Sequence, residues 1–182
     1  MSDHEKVAYK GLRLLEKIVD GDDRLEWDSG GGGYRHANKT EPRSGNYHLE
    51  LKAISEGTKD PYCYIYKDLQ TEPGQIWETS IYAKLTESPG GGKASAQIKM
   101  TFMDINGNKL HTHESARLKS IKSEYEELRI KAKAPKYTTH VRITPVVSLR
   151  GENAAVAAYY DDVHVSVGQT IFESGFENGA VH

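Results

Sequence analysis

The sequence predicts an all-β fold, an antiparallel sandwich or barrel. Three observations predict it. Apolar and polar residues alternate with a period of two along most of the 182 residues, the mark of half-buried strands. Clusters of Gly, Pro and Asn separate the alternating runs, as tight turns require. Only 11–19 and a turn at 122–128 carry a helical pattern, and both are short.

Taken in order, the first alternating run is 47–51. The second, 63–69, has Ile65 and Leu69 as inward candidates. Trp77, Thr79, Ile81, Ala83 and Leu85 then repeat at period two, which puts Trp77 in the core. Ala94, Ala96, Ile98, Met100 and Phe102 do the same, with Ser95, Gln97, Lys99 and Thr101 on the opposite face. The runs 128–132, 140–147 and 155–167 complete the set. Pro73 and Gly74 precede one strand, the segment 88–92 separates two, and Asn106, Gly107 and Asn108 close another. The glycine run 30–33 has no side chains to pack and reads as a surface loop. It neither follows a clear strand nor opens a helix, which speaks against a phosphate cradle.

Composition bounds the function. The chain has length enough for one domain with a real core. Lys and Arg number 24 and Asp and Glu 26, a net charge of −2. That balance lacks the electrostatic footprint of a nucleic-acid or anionic-membrane partner. A single cysteine, Cys63, excludes an internal disulfide and a cysteine metal cluster, and reads as a small buried residue. No apolar run approaches membrane-spanning length. The start of the chain is polar without a signal-peptide core, so the signal of a secreted parent lies elsewhere. There are 11 Tyr against 3 Phe and 2 Trp. Tyr has an apolar face and a polar tip, suited to wet, half-exposed surfaces, though it is also common in strands for packing reasons alone.

Catalytic constellations are thin. His111 and His113 share a strand face with Glu114 nearby and are possible metal ligands, but exposed strand histidines are the commoner case. Glu126 and Glu127 are adjacent and point apart on a strand. Neither a nucleophile elbow nor a His-Glu-x-x-His helix is present.

Five segments, in order, carry a family likeness: Glu16 to Asp20 followed by Trp27; Ser44-Gly45-Asn46-Tyr47-His48-Leu49; Glu72-Pro73-Gly74 running into Trp77 and Ser80; Phe102-Met103-Asp104-Ile105-Asn106-Gly107; and Tyr159-Tyr160-Asp161-Asp162-Val163. Together they resemble the jelly-roll carbohydrate-binding modules of families 4, 9, 16 and 22, over about residues 10–167. The opening departs most from that pattern, with Asp20 in place of a Glu. A better copy of the same opening stands at 172–178, echoing 15–21.

The resemblance implies an antiparallel β-sandwich (jelly roll) of two sheets at 1–168, with 169–182 a linker and the start of a following tandem module. It implies a structural Ca2+ held by Asp20, by Asp161 or Asp162, and by a carbonyl near Gly45, since calcium takes several hard oxygens. It also implies a glycan groove, on the concave face of one sheet or in the edge loops. Tyr64 and Tyr66 would form an aromatic platform with Tyr82 as a third ring, and Gln97, Lys99 and Arg142 would hold sugar hydroxyls. The expected function is non-catalytic: a secreted, extracellular module holding an attached glycoside hydrolase or polysaccharide lyase on its polysaccharide. The alternatives are a structural or adhesive spacer and a small jelly-roll lyase. A spacer predicts no aromatic sugar face, and a lyase requires a convergent acid and base.

Overall fold

The structure is a computed structural model that describes residues 7–8, 28–31, 34–38, 41–44, 48–56 and 60–169. Its strands are β1 (Val7–Ala8), β2 (Asp28–Gly31), β3 (Tyr34–Asn38), β4 (His48–Ile54), β5 (Tyr62–Gln70) and β6 (Gln75–Glu87). They continue with β7 (Ala94–Met103), β8 (Lys109–Glu114), β9 (Glu126–Lys133), β10 (His140–Leu149) and β11 (Ala155–Gln169). There is no helix among the described residues. The turn at 122–128 is bend and then strand, and 11–19 lies outside the described residues.

Two antiparallel sheets face each other. The six-stranded sheet runs β3-β4-β11-β6-β9, with β1 also on β11; the five-stranded sheet runs β2-β5-β10-β7-β8. Each alternating run sends one parity inward. Trp77, Ile81 and Ala83 from β6 meet Ile98, Met100 and Phe102 from β7, and Val141, Ile143 and Val147 from β10, all fully buried. Each such Leu, Ile or Phe contributes about 1.5–3 kcal/mol relative to exposure. Cys63 is buried in this core.

Two polar tips cross the apolar layer with partners. Trp77 Nε1 donates to Thr71 Oγ1 at 2.6 Å. The Tyr160 hydroxyl reaches from the six-stranded sheet to the carbonyls of Val146 at 2.7 Å and Gln97 at 3.2 Å. A buried hydroxyl left unbonded costs about 1–3 kcal/mol, so these contacts fix how the sheets sit together. Pro145 stands in the central strand β10, and the pairing with β5 lapses at Thr144 and Pro145 before resuming at Val146. That is the expected result of a missing N–H in a ladder.

Asp104 makes the β7–β8 turn. Its Oδ1 accepts from the backbone N–H of Asn106 and Asn108, both at 2.9 Å, and Gly107 takes a φ of 81°. The glycine run differs from expectation. Gly30 and Gly31 belong to the edge strand β2, paired with Tyr64 and Cys63 of β5. A Cβ on Gly30 would collide with the ring of Tyr64, and one on Gly31 with the carbonyl of Tyr62. Close approach, rather than lack of packing, is what these glycines serve. β11 runs to Gln169, which pairs with Gln75 of β6. The repeated opening at 172–178 and its echo at 15–21 lie outside the described residues.

Candidate functional site

The outer face of the five-stranded sheet carries a groove of about 520 Å³. Its floor follows from register. Tyr64 of β5, Val146 of β10 and Gln97 of β7 form one rung, with Gly30 of β2 beside Tyr64. Thr144 pairs with Lys99, which pairs with Glu114 of β8, in the next rung. Asp68, Arg142, Thr101 and Thr112 make a third. Period two keeps these side chains on one face.

The aromatic part is a ladder along β5. The rings of Tyr62 and Tyr64 lie 5.8 Å apart and nearly parallel at 17°; those of Tyr64 and Tyr66 are 6.1 Å apart and tilted by 39°. Tyr62 is 51 % exposed and lines the groove with Tyr64. Tyr66 is covered by the Arg142 guanidinium, 3.9 Å above its ring. The rings that line the groove are therefore Tyr62 and Tyr64, one step along from the expected Tyr64 and Tyr66. Tyr62 shares this face with Tyr64 by the period of two.

The polar part is pre-set by ion pairs. Arg142 holds Asp68 in a two-pronged contact, Nε to Oδ1 at 2.7 Å and Nη2 to Oδ2 at 2.8 Å. Lys99 meets Glu114 at 3.0 Å, and Arg117 meets the other oxygen of Glu114 at 2.9 Å. Hydrogen bonds from Arg117 and Lys99 hold the Glu114 carboxyl below the usual range. Gln97 is on the expected face but only 3 % exposed, and its Oε1 accepts from Arg117 Nε at 2.8 Å. It forms floor rather than contact surface. Sequence reasoning missed Arg117, which acts from a loop after β8 and has no period to betray it.

Tyr82 is not part of this groove. It lies on β6 in the six-stranded sheet, with its ring beneath the Arg43 guanidinium at 3.4 Å. A second depression of about 680 Å³ borders that region and is lined by Glu41, Arg43, Lys84, Tyr125 and Tyr159. Lys84 is 7 % exposed there, bound to Glu41 at 2.9 Å and to the Ser123 carbonyl at 3.3 Å. Tyr125 donates to the Glu41 carbonyl at 3.0 Å, and burial pushes its phenol up. Lys84, Glu41 and Tyr125 are thus engaged with one another at the centre of this depression.

Two of the four residues expected to hold calcium are described. Asp161 and Asp162 stand at an irregularity in β11, where the register with β6 shifts and Asp162 takes a φ of 48°. Bulges of this kind re-aim side chains. Asp161, 4 % exposed, accepts from the backbone of Arg43 at 2.9 Å, Ser44 at 3.2 Å and Asp162 at 2.8 Å. Burial raises its carboxyl above the ordinary value. Asp162 pairs with the Arg43 guanidinium and the Ser44 hydroxyl. Both acids thus converge on the segment that leads into Gly45. Gly45 and Asp20 lie outside the described residues. Among the described residues no group of three or more His, Cys, Asp or Glu converges as a metal site. As for fit, the donors are hard oxygens and the Asp161 carboxylate is desolvated, which favours a cation, but Arg43 already supplies one to Asp162.

His111 and His113 have ring centres 4.4 Å apart and pair with Phe102 and Met100, whose side chains point into the core. They therefore sit on the opposite face of β8 from the groove. Burial and the neighbouring His111 hold His113 below its usual value.

No family model and no curated protein matches this sequence. Solved structures do. The C-terminal family 22 carbohydrate-binding module of a Clostridium thermocellum protein aligns with a TM-score of 0.61 at 15% identity, over 87% of this chain and 94% of that one. This is the fold of a β-sandwich carbohydrate-binding module. A Clostridium thermocellum endo-1,4-β-D-xylanase comprising a family 22 module and its catalytic module, complexed with xylohexaose, aligns at 0.55 and 17% over 77% of this chain. The enzymatically active domain of bacteriophage CBA120 tailspike protein 4 aligns at 0.58 and 12% over 78%. The present chain spans only 25% of that xylanase structure and 19% of the tailspike. The likeness at these identities is one of fold.

Proposed function

We propose that this chain binds a polysaccharide along the groove of its five-stranded sheet and performs no chemistry on it. The observation that carries the reading is the Tyr62–Tyr64 ladder lining the groove, with Tyr62 exposed, beside fixed Lys99 and Arg142. Parallel rings stack on sugar faces, and charged donors already held in place bond hydroxyls without further ordering cost. The xylohexaose bound in the xylanase structure and the β-1,4-galactotriose bound in a family 61 module of like fold lend support. Attached to a hydrolase or lyase outside the cell, such a module raises the effective concentration of enzyme on its polymer.

A lyase is less well supported. Among the described residues, Asp68 is held by Arg142, Glu114 by Lys99 and Arg117, and Asp60 by the Gly151 N–H, so no acid on this face is paired with a base across one point. A spacer would have no reason to keep an aromatic ladder open. Affinity electrophoresis against neutral and acidic polysaccharides tests the proposal. Retarded migration with at least one supports it, and unchanged migration with all of them returns the chain to the spacer reading.

We further propose that Asp161 or Asp162, with Asp20 and a carbonyl near Gly45, holds a structural Ca2+ remote from the groove. Such an ion raises stability by mass action. Excess EDTA then lowers Tm while leaving polysaccharide retardation intact at moderate temperature. An identical melting curve with and without chelator rejects the ion.

A further inference from the structure

The groove on the five-stranded sheet is charged in one direction. Its lining holds four cations, Lys99, Lys109, Arg142 and Arg150, against one acid, Asp60, in a chain whose net charge is −2. Two of the cations are internally neutralised, Arg142 by Asp68 and Lys99 by Glu114. Asp60 is turned to the Gly151 backbone, whose N–H it accepts at 2.9 Å. Lys109 and Arg150 are different. Both are exposed, and neither side chain has an ion-pair or hydrogen-bond partner among the described residues.

Their placement is informative. Lys109 opens β8 opposite Met103, at the end of the sheet where β10 begins with His140. Arg150 follows Leu149 at the other end of β10. The eight steps from Arg142 to Arg150 span roughly 25 Å along the strand. Unpaired positive charge thus stands at both ends of a groove whose middle is aromatic and internally neutral. A neutral glycan uses the middle and gains nothing from the ends. A polyanion of repeating carboxylates reaches both.

We propose that the preferred ligand is an anionic polysaccharide of the uronic-acid class, with Lys109 and Arg150 as its charge-reading residues. This rests on the groove being a glycan site. The Tyr62 and Tyr64 ladder along β5 suits sugar rings in extended array.

Affinity electrophoresis and calorimetry with polygalacturonate, alginate and hyaluronan, set beside methyl-esterified polygalacturonate, xylan, galactan and mannan, test it. A single-stranded oligodeoxynucleotide serves as the non-sugar polyanion. The expected result is tighter binding to a polyuronate than to any neutral polymer, with loss of that margin as salt rises from about 0.01 M to about 1 M and the screening length falls from about 30 Å to about 3 Å. Lys109→Gln and Arg150→Gln each weaken polyuronate binding by about twofold to fivefold, as exposed ion pairs do, with Tm unchanged. Equal or tighter binding of a neutral polymer, insensitive to salt and to both substitutions, overturns the anionic preference and leaves glycan binding standing. Binding to no polysaccharide overturns both readings. Tighter binding of the oligonucleotide than of every polyuronate overturns the assignment to sugar.

Discussion

The two outer faces of the sandwich use the same residue types to opposite ends. On the six-stranded sheet Lys84 is enclosed by Tyr125 and Tyr159 and bound to Glu41, while Arg43 covers Tyr82 and meets Asp162. There the aromatic and charged groups are joined to each other and tie the segment 41–44 to the sheet. On the five-stranded sheet the pairs Arg142–Asp68 and Lys99–Glu114 are also closed, but Tyr62 stays exposed and lines the groove with Tyr64. Composition does not distinguish a site from a clasp. Whether a ring's face is already occupied by a cation does.

The contrast is testable by exchanging what each face loses. Tyr62→Ala with Tyr64→Ala removes the open ladder. At roughly 40 Å² of apolar surface covered per ring, the loss is about 2 kcal/mol, near thirtyfold in Kd for the retained polymer. Tm falls as well, because the Tyr64 ring packs across Gly30 of β2, so binding is measured well below it. Retention of full affinity by this folded variant moves the site away from the sheet.

Lys84→Ala has the converse signature. It removes a buried stem from between two tyrosines and the bonds of the ammonium to Glu41 and the Ser123 carbonyl. Stability falls by about 1.5 kcal/mol in denaturant unfolding, and polysaccharide binding stays as it was. A fall in binding with no fall in stability would reverse the roles assigned to the two faces.

Gly30→Ala sharpens the comparison inside the groove. The added Cβ displaces the Tyr64 ring from its place over β2. Holding a side chain off its rotamer costs about 1 kcal/mol, read as a roughly fivefold loss of binding. Gly107→Ala, at the far turn with open space around its Cβ position, serves as the control that loses stability and not binding.

The smallest effect is in pH. The bond from Lys84 holds the Glu41 carboxyl below its ordinary value of 4.5. A carboxyl lowered by folding contributes stability that is present above its unfolded value and is lost as pH falls through its folded one. The stability gap between the parent chain and Lys84→Ala therefore narrows as pH drops below about 4.5. A gap independent of pH means that the stem packing of Lys84, and not its charge, holds the segment.

Much of the fold was legible because strands have a period that sequence displays. The parity of 77–85 and 94–102 sorted inward from outward side chains, with Trp77 among the inward ones, and Cys63 is buried as read. The same rule puts Tyr64, Lys99 and Arg142 on an outer face, where they line the groove. Tyr82 obeys that rule equally well and belongs to the other face of the molecule, because no period says which sheet a strand joins. Gln97 has the right parity, yet its amide is claimed by a residue 20 positions later in an irregular loop. The glycines at 30 and 31 were read as unpacked, when the tyrosines lying across them are the reason they are small.

Sequence alone determined the strand character, the inward parity and the order of turns, because these depend on residues within a few positions of one another. The pairing of β6 with β11 and β9 rather than with β5, and the cover of Arg43 on Tyr82 and of Arg142 on Tyr66, were decided only in three dimensions. These joins link residues from 39 positions apart, Arg43 and Tyr82, to 94, Gln75 and Gln169. The physical reason is that a local pattern sets which way a side chain points, while the partner it meets is chosen by long-range burial of the whole apolar layer.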